Sequence, residues 1–261
     1  MFVDILEAPN RDALMPPRSL MFVGRGDFQQ VGNELKAFLI KWGGLKPDDR
    51  ILDVGSGIGR VALPLTNYLS PKGEYWGFDV VKPGIDWCQK HITPRYSNFH
   101  FLHCDLYNKY YAPKGKIKAL DFRFPFEDDF FDYVFLTSVF THMLPRDMEN
   151  YFREISRVLR RNRNCFITFF LLNEEALQLI KKGSSTLDFK YEIDGYLTTH
   201  KERPEDAIAY QEEDILGLFK KYGFRINQPI FHGIWCGRMV KPDNNNSGLV
   251  SYQDAIVATR T

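Results

Sequence analysis

Apolar residues recur along this chain with two periods. Between Asp27 and Trp42, the residues Val31, Leu35, Phe38, Leu39 and Trp42 fall three or four apart, as on one face of a helix, and Gly43-Gly44 ends the pattern. Short apolar runs follow at Ile51–Val54, Glu74–Val80, Phe99–Asp105, Asp132–Thr137 and Asn164–Phe170, with helical spacing between them at Ile85–His91 and Arg146–Leu159. Five strands alternating with helices predict a doubly wound α/β fold, a mostly parallel sheet covered on both faces. Phe224–Trp235 and Tyr252–Thr259 supply a sixth and a seventh strand. A Pro-Asp-Asn-rich loop and no helix joins these two, so they should run antiparallel.

Four stretches break the rhythm. Residues 1–26 hold Pro9, Pro16 and Pro17 and read as an irregular arm that closes over something. Pro64 falls just inside the helix after the first strand, where a kink or a late start is expected. Residues 107–123, rich in lysine and broken by Pro113 and Gly115, read as a loop. Residues 173–211 combine a helical Asn173–Lys182 with two exposed strands, Leu187–Ile193 and Tyr196–His200. They are too short and too polar for a core of their own, so the expectation is one domain over 1–261 with an insertion on the sheet.

Candidate chemistry starts where the first strand ends, at Asp53-Val54-Gly55-Ser56-Gly57-Ile58-Gly59-Arg60. Glycines let a ligand approach the backbone, and the following helix turns its N–H groups toward it. A dinucleotide fingerprint needs its third glycine at position 60, which is arginine, and the chain has no G-x-x-x-x-G-K-[ST] phosphate loop. The remaining acidic-x-Gly-x-Gly-x-Gly pattern resembles the first motif of class I S-adenosylmethionine-dependent methyltransferases. The later signs GFDV, CDL and FPFEDDFFDYVFLTSVFTHM, in order, are similar to that family over roughly residues 30–170. The resemblance implies a seven-stranded sheet with an antiparallel last strand, S-adenosylmethionine as cofactor, and lids at 1–26 and 173–211. Pro64 and the 107–123 loop depart from it.

On this reading Asp53, Gly55, Ser56, Gly57 and Gly59 hold the methionine end of the cofactor. Asp79, twenty residues after Gly59 at a strand end, accepts both ribose hydroxyls, and Val80 lies against the adenine. Asp105 takes the adenine amino group while the Leu106 backbone reads the ring, and Thr137 and Ser138 reach the methionine amino group. Methyl transfer from a sulfonium rests on alignment and water exclusion, so few catalytic groups are needed. A hydroxyl acceptor would need a base, for which His142 is the candidate. His200, Tyr210 and Trp235 are candidates for the acceptor side, with Tyr196, His232 and Arg238 behind them.

Composition narrows the partners. With 44% hydrophobic and 26% charged residues the chain is an ordinary globular protein, and 34 basic against 33 acidic residues disfavour a nucleic-acid partner. The acidic, proline-bearing start is no signal peptide and no apolar stretch spans a bilayer, so a cytoplasmic enzyme without a membrane partner is expected. Four scattered cysteines and no His-Cys or carboxylate cluster imply neither disulfides nor a metal. The sequence leaves the oligomeric state open. The expected reaction is O- or N-methylation of a small molecule. Its alternatives are an RNA or protein acceptor, a non-catalytic cofactor-binding protein, and a nicotinamide-dependent oxidoreductase, which Arg60 disfavours.

Overall fold

The computed structural model of the chain describes residues 14–21, 26–109, 111–239 and 250–261. Most of the arm, including Phe22–Arg25, lies outside the described residues. Helix α1 (Phe28–Lys41) starts where the pattern places it: Asp27 caps it, accepting from the Gln30 N–H at 2.8 Å.

The main sheet has seven strands in the order β10-β11-β5-β4-β1-β2-β3. Their ranges are β1 (Arg50–Val54), β2 (Glu74–Asp79), β3 (Phe99–His103), β4 (Phe131–Leu136), β5 (Leu159–Phe169), β10 (Phe224–Phe231) and β11 (Asp254–Arg260). β11 runs antiparallel to both neighbours, and every other adjacent pair is parallel. Strand alternation splits the core in two: Leu52, Val54, Val134 and Leu136 face one apolar cluster, while Ile51, Tyr133 and Phe135 face the other. Helices α3 (Lys82–His91) and α4 (Pro145–Val158) lie where the periodicity places them.

Pro64 does more than kink its helix. α2 is reduced to Ala62–Leu65. Leu63 and Leu65 donate to the Gly59 and Val61 carbonyls, but Pro64 has no N–H for the carbonyl of Arg60. There α1 makes its close approach: a Cβ on Gly32 would lie 2.4 Å from the Arg60 oxygen. β5 starts five residues earlier than its apolar run. Its first part, with Asn162 at φ 61°, bulges from the ladder so that Arg160 and Arg163 reach Asp132 at 2.8 and 3.2 Å.

The 173–211 insertion is more ordered than its polarity implies. After β5 the chain passes through Phe170 alone into β6 (Leu171–Leu172), then α5 (Glu174–Lys181), β7 (Tyr191–Ile193), β8 (Tyr196–Thr198), β9 (Ile208–Gln211) and α6 (Glu212–Lys221). These strands form a second sheet, β6-β9-β8-β7. The β7–β8 hairpin turns on Asp194-Gly195, both at positive φ, which suits a two-residue turn. This cap has its own apolar cluster because residues outside the insertion complete it: Phe170 and Leu172 from the strand side, Trp235 and Cys236 from beyond β10. Trp235, expected within the sixth strand, therefore lies in a turn, since β10 stops at Phe231.

Candidate active site

The carboxyl ends of β1, β2, β3 and β4 bring the expected residues to one edge of the sheet. Gly55, Gly57 and Gly59 have φ of 82°, 56° and 78°, a region that side chains rarely enter. The turn is also crowded: a Cβ on Gly55 would sit 2.5 Å from Val139 Cγ2, and one on Gly59 3.0 Å from Cys88 Sγ. Its N–H groups point inward. Those of Gly55 and Ser56 donate to the Phe78 carbonyl at 2.9 and 3.0 Å, that of Gly57 to Asp79 Oδ2 at 2.7 Å, and that of Gly59 to the Ser56 carbonyl. These four N–H groups are therefore not free for a diphosphate.

Asp79 ends β2 with Oδ2 accepting from the Gly57 N–H and Oδ1 from the Val81 N–H at 2.8 Å. It thus joins the glycine turn to the start of α3. An ionised carboxylate has about four acceptor sites, and those left over fit the two hydroxyls of a ribose. Burial pushes its pKa above the ordinary carboxylate value. Val80 beside it is half-buried and packs against the main core.

Other candidates are placed differently. Asp53 is buried under the turn, where its Oδ2 accepts from the Tyr75 hydroxyl at 2.5 Å; burial, with Asp79 nearby, pushes its pKa up to about 7. It braces β1 against β2 from below. The Ser56 hydroxyl also turns downward, to where a Cβ on Gly77 would lie 2.9 Å from its oxygen. Asp105 stays exposed, 3.8 Å from Lys116 Nζ. The Leu106 N–H, expected to read the adenine, is spent on the Cys104 carbonyl at 2.8 Å, and its side chain lies in the core.

The segment after β4 carries the rest. Thr137 is half-buried, and Ser138 has φ of 59°, uncommon for a residue with a side chain. The Ser138 N–H donates to Thr168 Oγ1 at 2.8 Å, and its hydroxyl donates to Gln253 Oε1 at 3.1 Å. His142 closes a turn of 3₁₀ helix, Phe140–His142, with Nδ1 2.9 Å from the Glu205 carbonyl of the cap. A carbonyl can only accept, so Nδ1 carries the proton and Nε2 keeps a lone pair. Burial lowers the His142 pKa below 6.5, which leaves the ring neutral near pH 7. The Tyr111 ring meets it edge-on, with centroids 6.4 Å apart.

The acceptor-side candidates divide. His200 lies in the cap corner formed by residues 199–206, with Nδ1 buried and unpartnered. Tyr210 is buried and donates its hydroxyl to the Met143 carbonyl, with Tyr196 packed beside it. Trp235 is fully buried, its indole N–H 2.6 Å from Asp254 Oδ2. Tyr210 and Trp235 are therefore buried and brace the cap. His232 pairs with Glu212 at 2.9 Å and Arg238 with Glu175 at 2.7 Å. Sequence reading missed Glu205, Thr168, Gln253 and Asp254. A polar Gln-Asp pair opening an otherwise apolar strand was the available signal for the last two. A separate cleft lined by Leu14, Phe28, Asn33, Arg60, Leu63 and Tyr96 includes neither Asp79 nor His142. Among the described residues, no three His, Cys, Asp or Glu side chains group as a metal site.

Residues 51–162 match the family model described as a methyltransferase domain. Among solved structures, a protein of Pyrococcus horikoshii OT3 superposes with TM-score 0.60 at 16% identity, over 93% of this chain and 95% of its own. The 1,6-didemethyltoxoflavin-N1-methyltransferase of Burkholderia thailandensis, with bound S-adenosylhomocysteine, gives 0.54 at 16%, covering 89% and 79%. Magnesium protoporphyrin IX methyltransferase from Synechocystis PCC 6803, also with that product bound, gives 0.54 at 16%, covering 94% and 92%. At these identities the structures speak for the fold. The match to the family model runs from β1 into β5 and spans the glycine turn, Asp79 and His142. Residues 51–162 are accordingly similar to a methyltransferase domain, and the chain as a whole shares the fold of S-adenosylmethionine-dependent methyltransferases.

Proposed function

We propose that this enzyme methylates an oxygen or nitrogen of a small molecule held between the strand ends and the cap. The carrying observation is that the cap is fastened onto the segment after β4, through His142 Nδ1 to the Glu205 carbonyl and the Tyr210 hydroxyl to the Met143 carbonyl. A roof fixed this close over the methyl-transfer region suits a small acceptor better than a strand of RNA or a protein surface. Two of the similar structures, the didemethyltoxoflavin and magnesium protoporphyrin enzymes, are named for small acceptors.

The cofactor supplies an electrophilic methyl carbon. In this reading Asp79 holds the ribose, the glycine turn shapes the seat for the amino-acid end, and Thr137 and Ser138 border it. Asp105 edges the adenine side. His142 Nε2 receives the acceptor's proton, and the Glu205 carbonyl, by fixing the proton on Nδ1, keeps Nε2 basic. His200 lies on the acceptor side.

Incubation with methyl-labelled S-adenosylmethionine and a cell extract, then separation into small-molecule, RNA and protein fractions, tests the acceptor class. Label confined to the small-molecule fraction is the expected result, and label only in RNA or protein would refute it. The rate with the labelled acceptor should fall as pH drops below about 6.5, where His142 gains a proton. His142→Gln should lose that acid limb along with most of the rate; a preserved limb would clear His142 of the role.

A further inference from the structure

We infer that Gln253 positions the acceptor, its side-chain amide supplying a pair of N–H donors at the floor of the acceptor space. The inference rests on the reading that methyl transfer occurs at the carboxyl edge of β4, and it narrows the acceptor to molecules bearing a carbonyl, carboxylate, hydroxyl or ring-nitrogen lone pair near the methylated atom.

Register places the residue. Asp254 pairs with Phe169 and Leu136 with Ile167, so the start of β11 and the ends of β4 and β5 share one edge of the sheet. Gln253, Thr168 and Ser138 meet there. Thr168 is buried and fixes the Ser138 backbone through its hydroxyl, and Ser138 adopts φ of 59° in that grip. Backbone in a sparsely populated region persists where the surroundings over-determine it, commonly at functional sites. In this conformation the Ser138 hydroxyl reaches Gln253 Oε1. The amide oxygen is thereby occupied, while among the described residues nothing accepts from the amide nitrogen. Gln253 is only half-buried, so that nitrogen is open to a ligand. Beneath it the next residue, Asp254, is fully buried and held by the Leu171 and Gly233 N–H groups at 2.7 Å each, which fixes the backbone that presents the glutamine.

The test compares wild type with Gln253→Ala and Gln253→Glu, the second keeping size and the acceptor for Ser138 while replacing the N–H pair by a carboxylate. Two readouts are taken: label transferred from methyl-labelled S-adenosylmethionine across a dilution series of extract, and S-adenosylhomocysteine affinity by calorimetry. Expected are an extract requirement for half-maximal transfer at least tenfold higher in both variants, and product-cofactor affinity within about twofold of wild type. Unchanged transfer in Gln253→Ala would overturn the inference. So would loss of S-adenosylhomocysteine binding in both variants, which would place the residue on the cofactor side, and so would wild type that labels nothing. If wild type labels only RNA or protein, the small-molecule reading fails, while a variant defect on that acceptor still supports Gln253 as a positioning residue.

Discussion

Asp79 shows how one side chain can serve the frame and the proposed site together. Its two oxygens tie the glycine turn to α3 through Gly57 and Val81, and in the proposed reading they also hold the ribose. Asp79→Ala should weaken S-adenosylhomocysteine binding by about 1 to 3 kcal/mol, roughly tenfold or more, as charge-assisted hydrogen bonds are lost. Calorimetry would read the change, and undiminished affinity would place the ribose elsewhere. Asp53 makes a different contribution. Its carboxyl titrates near 7 in the fold against 3.8 for an unperturbed group, so the native state binds the proton more tightly than the unfolded chain. Stability from this group is therefore lost as pH rises from about 4 to 7, on the order of a few kcal/mol. Asp53→Asn should fall less than wild type in urea titrations at pH 5 and pH 7.5; parallel declines would count against the burial argument. Spacing placed Asp79 at the end of β2, where the structure has it. It did not reveal that the Ser56 hydroxyl faces Gly77 or that the Leu106 N–H is already used, because side-chain and amide direction follow from the turn's geometry and not from residue type.

At the level of elements, the strand-and-helix alternation was readable because each central strand is apolar on both faces and each helix covers one side. The early part of β5 was not, since its Arg-Arg-Asn-Arg run is held by charge pairing to Asp132 and carries no apolar period. β6 and β9 were hidden too. They are two and four residues long, and their partners are distant in sequence or outside the insertion. What fastens the cap to the sheet is Asp254, which accepts from Leu171, Gly233 and the Trp235 indole. Asp254→Ala would leave three buried donors without an acceptor, costing about 3 kcal/mol or more and lowering the melting temperature by roughly 10 °C. Scanning calorimetry would show it, and a shift under about 2 °C would mean that the cap is held by its apolar cluster alone.

Across the whole molecule, the two core clusters and the cap surround a site assembled from both halves of the sheet, with the glycine turn on one side and the segment after β4 on the other. A ligand that joins those halves should stabilise the fold as a unit. S-adenosylhomocysteine at a hundred times its dissociation constant is expected to add about 2.7 kcal/mol, seen as a concentration-dependent rise in melting temperature. NADH should produce no rise, since the Gly55, Ser56, Gly57 and Gly59 N–H groups are spent within the chain. Equal shifts from both ligands would undo the assignment of the turn.

The passage from β5 to β6 through the single residue Phe170 limits how this enzyme can breathe. One continuous stretch of backbone serves the main sheet and the cap, with Asp254 clamped across the junction, so this junction offers no hinge on which the roof could swing as a door. Traffic of acceptor and methylated product would then pass at the corner where His142 meets the Glu205 carbonyl and Lys109 the Glu202 carbonyl, and how often that corner loosens would set the ceiling on turnover.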